Sequence, residues 1–430
     1  MSARAGSAAP PVFVTGMGVL SAIGHDVAAF AEALFAGRSG IGRLGRLQEP
    51  RPAVDLGAPL SFEFEALLAR HAGLPSALLQ SARHAARRSP FSVQASMGAA
   101  LQAWEQAGLH RSAPAPDRIG LVAGGNNTTR HYQYAATQHY AQQPAHLSPR
   151  YALLHQDTDQ LGVLSQAFAL YGEGFTTGGA SASGNVALVQ GLRLVRAGVV
   201  DACLVVGVVA DLSPMELQGY HVIGALGGRK YRDDPERACR PFDAGHEGFI
   251  PGQAAACMVL ESEASARGRG APLLARLAGG AIALHGTSQP DPSADGELRA
   301  MAGALRDAGL AEAAVDYVNT HGTASPRGDA AEIEALQALF GERLPQVWLN
   351  ATKALTGHCL SSAGVVEAIA TILQLRAGRL HPNLNLADPI HPHARFCGPA
   401  AQTAQVRTAL SNSFGFGGIN TSIVLQREPA

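Results

Sequence analysis

Cysteine is scarce, lysine scarcer, and neither sign of charge prevails. Five cysteines in 430 residues (Cys203, Cys239, Cys257, Cys359, Cys397) occur without a CxxC pair. In a chain this large that argues against zinc ribbons and disulfide frameworks, and leaves free, mostly buried thiols. The formal net charge is −1 and no dense Lys/Arg run occurs, so neither nucleic acid nor an anionic membrane surface is the expected partner. Long hydrophobic runs are missing as well. The most apolar stretch, Gly198 to Leu212, is interrupted by Asp201 and Asp211, and the opening MSARAGSAAPP lacks an apolar core of signal-peptide length. The expectation is a soluble, cytoplasmic protein with a small or protein-borne substrate. Of 33 basic residues only two are lysine, Lys230 and Lys353, the other 31 being arginine. Where arginine serves for generic charge, a remaining lysine points weakly to a need for a compact ammonium.

What is present is enough apolar sequence, 47% of residues, for one large unit or two fused halves. Short Val/Ile-rich runs alternate with helix-period segments, the pattern of an α/β protein with a mostly parallel, covered sheet. Strands are predicted at Val12 to Gly16, Ile119 to Ala123, Ala202 to Gly207, Tyr317 to Thr320, Val347 to Asn350 and Thr421 to Leu425. Helices are predicted at Val27 to Phe35, Gln94 to Gln106, Asp159 to Tyr171, Val186 to Arg196, Ala330 to Phe340 and Val365 to Leu375. The stretch Arg38 to Leu79, rich in Pro, Arg and Ala, reads as surface elaboration. A weak repeat links the halves. A small-residue turn leads to a helix ending Arg196-Ala-Gly198, and the segment around Lys353 leads to another ending Arg376-Ala-Gly378. Either turn would present a polar side chain at a helix N-terminus, where free N–H groups favour negative charge; Ala/Gly-rich turns alone would give the same pattern.

Four segments carry residue types suited to chemistry. Gly178-Gly-Ala-Ser-Ala-Ser-Gly-Asn185 puts a serine on a tight turn before a helix, although it is not a strict G-x-S-x-G elbow. Asn319-Thr-His-Gly-Thr-Ala-Ser-Pro-Arg-Gly-Asp329 puts His321 at a strand's carboxyl end, where open α/β sheets bind ligands. Thr352-Lys-Ala-Leu-Thr-Gly-His358 sets the rare lysine five residues before a second histidine. Asn412-Ser-Phe-Gly-Phe-Gly-Gly-Ile-Asn420 combines glycines, which allow close backbone approach, with phenyl groups that can wall an apolar pocket. Each alone is compatible with a packed turn or a core histidine.

Together, and in order with VFVTGMGVLSAIGHDV and RPFDAGHEGFIPG, these segments make the chain resemble the β-ketoacyl-[acyl-carrier-protein] synthase (ketosynthase) family over nearly its whole length. The resemblance implies a thiolase fold, a duplicated five-layer αβαβα arrangement with two mixed sheets, and a homodimer. It places an N-terminal half at 11–262, a C-terminal half at 273–428 and a tail at 1–10. It implies that His321 and His358 hold the malonyl thioester carbonyl and that Lys353 supports their geometry, pairing with Glu367. The resemblance also implies that the N–H of Phe416, with that of Ser181, forms an oxyanion hole. On the substrate side, grouped with Glu367, it puts Thr323 and Ser325 along the phosphopantetheine arm and Phe414 at the acyl pocket. No metal and no cofactor of its own is implied, the substrate being carried on an acyl carrier protein. Two departures stand out: Ala180-Ser181-Ala182-Ser183-Gly184 has serine where the family has its cysteine, and Gln253 stands where an acidic residue is usual.

Acylation needs a thiolate, and an alcohol stays neutral unless a base adjoins it. Decarboxylation needs only donors aimed at the thioester oxygen and a poorly solvated place for the departing carboxylate. The expected activity is therefore conversion of malonyl- to acetyl-carrier protein, similar to the serine-variant ketosynthases of polyketide β-branching cassettes, whose partners are HMG-CoA-synthase-like and enoyl hydratase enzymes. The alternatives are a Ser181-dependent acyltransferase or condensing enzyme, and a non-catalytic subunit like a chain-length factor, against which the paired histidines count.

Overall fold

A computed structural model describes residues 10–44 and 55–428. Residues 1–9 of the expected tail, and 45–54, lie outside the described residues. The eleven strands of the main sheet, in chain order, are β1 Val12–Ser21, β2 Ile119–Gly124, β3 Gly174–Thr177, β4 Ala202–Gly207, β5 Ala254–Ser262, β6 Ala275–Leu284, β7 Tyr317–Asn319, β8 Trp348–Asn350, β9 Arg395–Phe396, β10 Thr408–Gly415 and β11 Ile419–Gln426. They order as β9-β8-β7-β10-β11-β6-β1-β5-β4-β2-β3. Parallel pairs β2/β3, β2/β4, β7/β8 and β7/β10 mix with antiparallel β1/β5, β4/β5, β6/β11 and β10/β11. The fold is the thiolase fold, with one refinement. The two expected sheets are joined edge to edge into one ladder, through only two residue pairs of β1 and β6, Phe13 with Arg276 and Val14 with Ala275.

The central strands are apolar throughout because both faces are covered. In β5, Ala254, Ala256, Met258 and Leu260 enter one core cluster while Ala255, Cys257 and Val259 enter another. β4 divides likewise, Cys203 and Val205 facing the first, Leu204 and Val206 the second. The first cluster is the middle of the molecule. It joins β4 and β5 of one half to Ala409, Ile423 and Leu425 of the other through helices α5 Ser183–Arg196 and α8 Ala363–Ala377. The outer cores lie under α3 Phe91–Ala107 on one side and under α6 Ala294–Ala308 and α7 Pro326–Phe340 on the other.

One reading needs correction. The stretch from Arg38 is not merely surface elaboration: α2 Phe64–Ala69 buries Phe64, Leu67 and Leu68, which join Leu74 in the core beneath α3. Leu360–Ala377 is long and apolar enough by composition to cross a membrane, yet 83% of it is buried, as the central helix. Gln253 turns out to be structural. Its side chain accepts from the Leu60 N–H at 3.1 Å and its own N–H donates to Ala58 at 2.9 Å, fixing the 56–60 segment to the sheet.

α5 and α8 approach each other at their N-termini. A Cβ on Gly364 would lie 2.5 Å from Asn185 N, and one on Gly184 2.8 Å from Val365 N. The turns before them share an unusual backbone: Ala180 (φ 49°) and Leu360 (φ 50°) both occupy the left-handed region ahead of a single 3₁₀ turn, a conformation costly for non-glycine residues. The repeat legible in sequence is thus a repeat of conformation.

Candidate active site

Ser181 lies in the turn before α5, so its side chain and the first N–H groups of the helix face one space. Ser183 Oγ holds that turn, accepting from Gly179 N at 2.9 Å and donating to Ala180 O at 2.7 Å. His321 follows the carboxyl end of β7, and His358 precedes the matching turn of α8. The three meet. His358 Nε2 is 2.9 Å from Ser181 Oγ, the imidazole rings stand edge to face 5.5 Å apart, and Phe414 and Phe249 pack on His321 and His358 at 5.3 and 5.2 Å. They line a cavity of about 650 Å³ together with Phe416, Thr323 and Ser325.

Hydrogen bonding assigns the histidine tautomers. The Leu360 N–H donates to His358 Nδ1 at 3.3 Å, so the ring proton is on Nε2. Lys353 Nζ stands 3.4 Å from His321 Nδ1, and an ammonium has only protons to offer, so His321 also carries its proton on Nε2. Burial and the Lys353 charge lower the proton affinity of both well below 6.5, with His358 adding to the effect on His321. Both rings are neutral and aim an Nε2–H into the cavity.

Behind them lies a buried polar shell. Lys353, 1% exposed, also donates to His321 O at 2.6 Å and to Glu367 Oε1 at 2.5 Å. Burial lifts the Glu367 carboxyl to about 7 against the opposing pull of the lysine. Glu367 does not line the cavity, so its grouping with the substrate contacts is corrected to a place behind Lys353. Glu332, which no sequence motif had marked, receives the N–H groups of His321 and Gly322, both at 2.8 Å, and the Asn412 amide at 3.0 Å. Asp329 takes Phe242 N and His246 Nδ1, at 2.7 and 2.8 Å. Thr323 and Ser325 are paired through their hydroxyls at 2.9 Å. Phe416 is 42% exposed, in the turn after β10. Gly415 beside it is so close to the serine turn that a Cβ there would be 3.3 Å from Ala182 N.

The site holds no cysteine. All five are buried and free, none lines the cavity, and burial pushes Cys203, Cys239, Cys359 and Cys397 up to about 12.

Comparison with known proteins identifies a family. The beta-ketoacyl synthase N-terminal domain matches residues 9–266 and its C-terminal domain residues 274–387. The chain is 37% identical over 417 residues to the polyketide biosynthesis malonyl-ACP decarboxylase PksF of Bacillus subtilis, covering 97% of this chain and 96% of that protein. It is 32% identical to 3-oxoacyl-[acyl-carrier-protein] synthase 2 of Coxiella burnetii, covering 97% and 98%. The solved ishigamide ketosynthase/chain length factor superimposes with a TM-score of 0.87 at 26% identity, over 98% of this chain and all of that one. The chain belongs to the β-ketoacyl synthase family.

Proposed function

We propose that this protein decarboxylates malonyl-[acyl-carrier protein] to acetyl-[acyl-carrier protein] in polyketide biosynthesis. The observation that carries the reading is the pair of neutral imidazoles, each with its Nε2 proton directed into the cavity. Two such donors on the thioester oxygen stabilise the enolate that forms as carbon dioxide leaves. The phenyl rings of Phe414 and Phe249 keep that region poorly solvated, which favours loss of a charged carboxylate. Ser181 receives a hydrogen bond from His358 in this tautomer, so it has no base beside it and remains an alcohol. The likeness to the B. subtilis decarboxylase supports the same reading.

Thr323 and Ser325 would border the phosphopantetheine arm of the carrier. Working as a homodimer, the protein would hand acetyl-carrier protein to HMG-CoA-synthase-like and enoyl hydratase enzymes. A second reading, a Ser181-dependent acyltransferase, draws on the 2.9 Å contact between Ser181 and His358, which the opposite tautomer would turn into a nucleophile and base. Incubation with malonyl-loaded and acetyl-loaded carrier, read by intact mass, separates them. The decarboxylase converts the malonyl form and leaves the acetyl form unchanged. The acyltransferase would strip either form onto itself.

A further inference from the structure

Glu297 occupies the first turn of α6, with its side chain in the wall of the catalytic cavity. It is 1% exposed, and no donor among the described residues reaches its carboxyl group, whose Oε2 is fully occluded. One turn further along α6, Met301 Sδ meets Asn412 Nδ2 at 3.3 Å, and the same amide serves Glu332. Asn412 and Phe414 lie on one face of β10. Glu297 therefore belongs to the side of the cavity walled by Phe414 and Asn420. Against Gly296, the residue before it, His285 just after β6 is held by Asn420 Nδ2 at 2.9 Å.

A buried carboxylate with no donor is unfavourable, and such a group keeps its proton. The charged groups that bear on Glu297 are all acidic, Glu332, Asp329 and Glu334 on α7. Burial first, and these carboxylates second, raise its proton affinity well above that of an ordinary glutamate.

Decarboxylation alone does not make an acetyl group. Once carbon dioxide has left, the α-carbon must gain a proton, and an enzyme that ends its reaction there needs an acid beside the enolate. The two Nε2–H groups are committed to the oxygen, and the Ser181 hydroxyl is a far weaker acid than a carboxyl. We propose that Glu297 is the proton donor that completes the reaction. The bond from the α-carbon to the carboxylate breaks and its electron pair passes into the enolate. The pair then returns to bond the Glu297 proton at the α-carbon, and water entering through the cavity mouth restores the proton on the glutamate.

The assignment rests on the decarboxylase reading, and the test keeps the two apart. Full-length wild type, Glu297→Gln and Glu297→Met would be given malonyl-loaded carrier with ¹³C-labelled carbon dioxide, and acetyl formation and label return into malonyl-carrier followed by mass. General acids contribute about 10²–10⁴-fold, so both variants should form acetyl-carrier at least about 10²-fold more slowly. Their longer-lived enolate should also recapture more label per acetyl formed. Thermal midpoints should be unchanged or higher, since no hydrogen bond is lost. Wild-type acetyl formation in both variants, slowing without increased label return, or loss of folding in both would each overturn the assignment. Failure of the wild type to make any acetyl-carrier would bring down the decarboxylase reading itself.

Discussion

Lys353 reaches Glu367, His321 O and His321 Nδ1 from one nitrogen. A compact ammonium can do this where a planar guanidinium cannot, which gives a reason for lysine in a chain that otherwise relies on arginine. The two imidazoles it helps to hold are the donors on which the proposed chemistry depends. His321→Ala and His358→Ala should each slow acetyl-carrier formation by about 10²-fold or more, the cost of one oxyanion donor, with circular dichroism unchanged. A wild-type rate in either would remove that role. Ser181→Ala keeps the backbone N–H at that turn and should retain a substantial part of the rate, whereas a nucleophile's removal would leave almost none. Ser181→Cys should accept an acyl group from a thioester, because the helix N-terminus lowers a thiol's proton affinity; an unmodified mass would contradict this. The rings act while neutral, and their folded proton affinities lie well below 6.5. As pH falls, no histidine-linked loss of rate should appear around 6.5, only much lower. An acidic limb centred at 6.5 in a kcat profile would mean that the rings are not shielded as described.

The strands and helices found from sequence were those with Val/Ile runs or a clear apolar stripe. β4 runs from Ala202 to Gly207 as predicted, because burial on both faces makes a continuous apolar run. β5 was missed, since its Ala-Ala-Ala-Cys opening has little strand preference and is fixed by packing between two cores. The helix Arg130–Gln142, numbered α4 in chain order, was missed because it has no buried residue and hence no apolar stripe to betray it. The site was legible as motifs because Ser181, His321 and His358 lie in turns, and Lys353 opens a single helical turn, whose neighbouring glycines and hydroxyls mark them. Glu332 and Glu297 are single acids on helices, and only folding shows that one binds two N–H groups while the other binds none. The repeated turns depend on the contact of α5 with α8. Gly364→Ala would gain helix propensity but press a methyl group against Asn185 N. The net effect should be a loss of stability of about 1–3 kcal/mol, as for overpacked cores. A raised denaturation midpoint would show that the helices can separate without cost.

At the scale of the molecule, the fold brings two halves together so that each contributes what the other lacks. The first supplies the turn carrying Ser181. The second supplies both histidines, the lysine behind them and Phe414, while Phe249 on His358 comes from the first. Tyr140, Leu153, Val222 and Ile223 are exposed apolar side chains, and we expect a homodimer, whose obligate interface commonly buries more than about 2,000 Å². Light scattering at micromolar concentration should give twice the chain mass, and a stable monomer would contradict it. The proposed route decarboxylates malonyl on its carrier without passing through an acyl-serine. The direct test is a single turnover of full-length protein with malonyl-loaded carrier, with the intact masses of both proteins followed together. The carrier should shift from malonyl to acetyl while the protein keeps its unmodified mass throughout. A malonyl or acetyl adduct on Ser181 that forms and decays at the rate of product formation would contradict it.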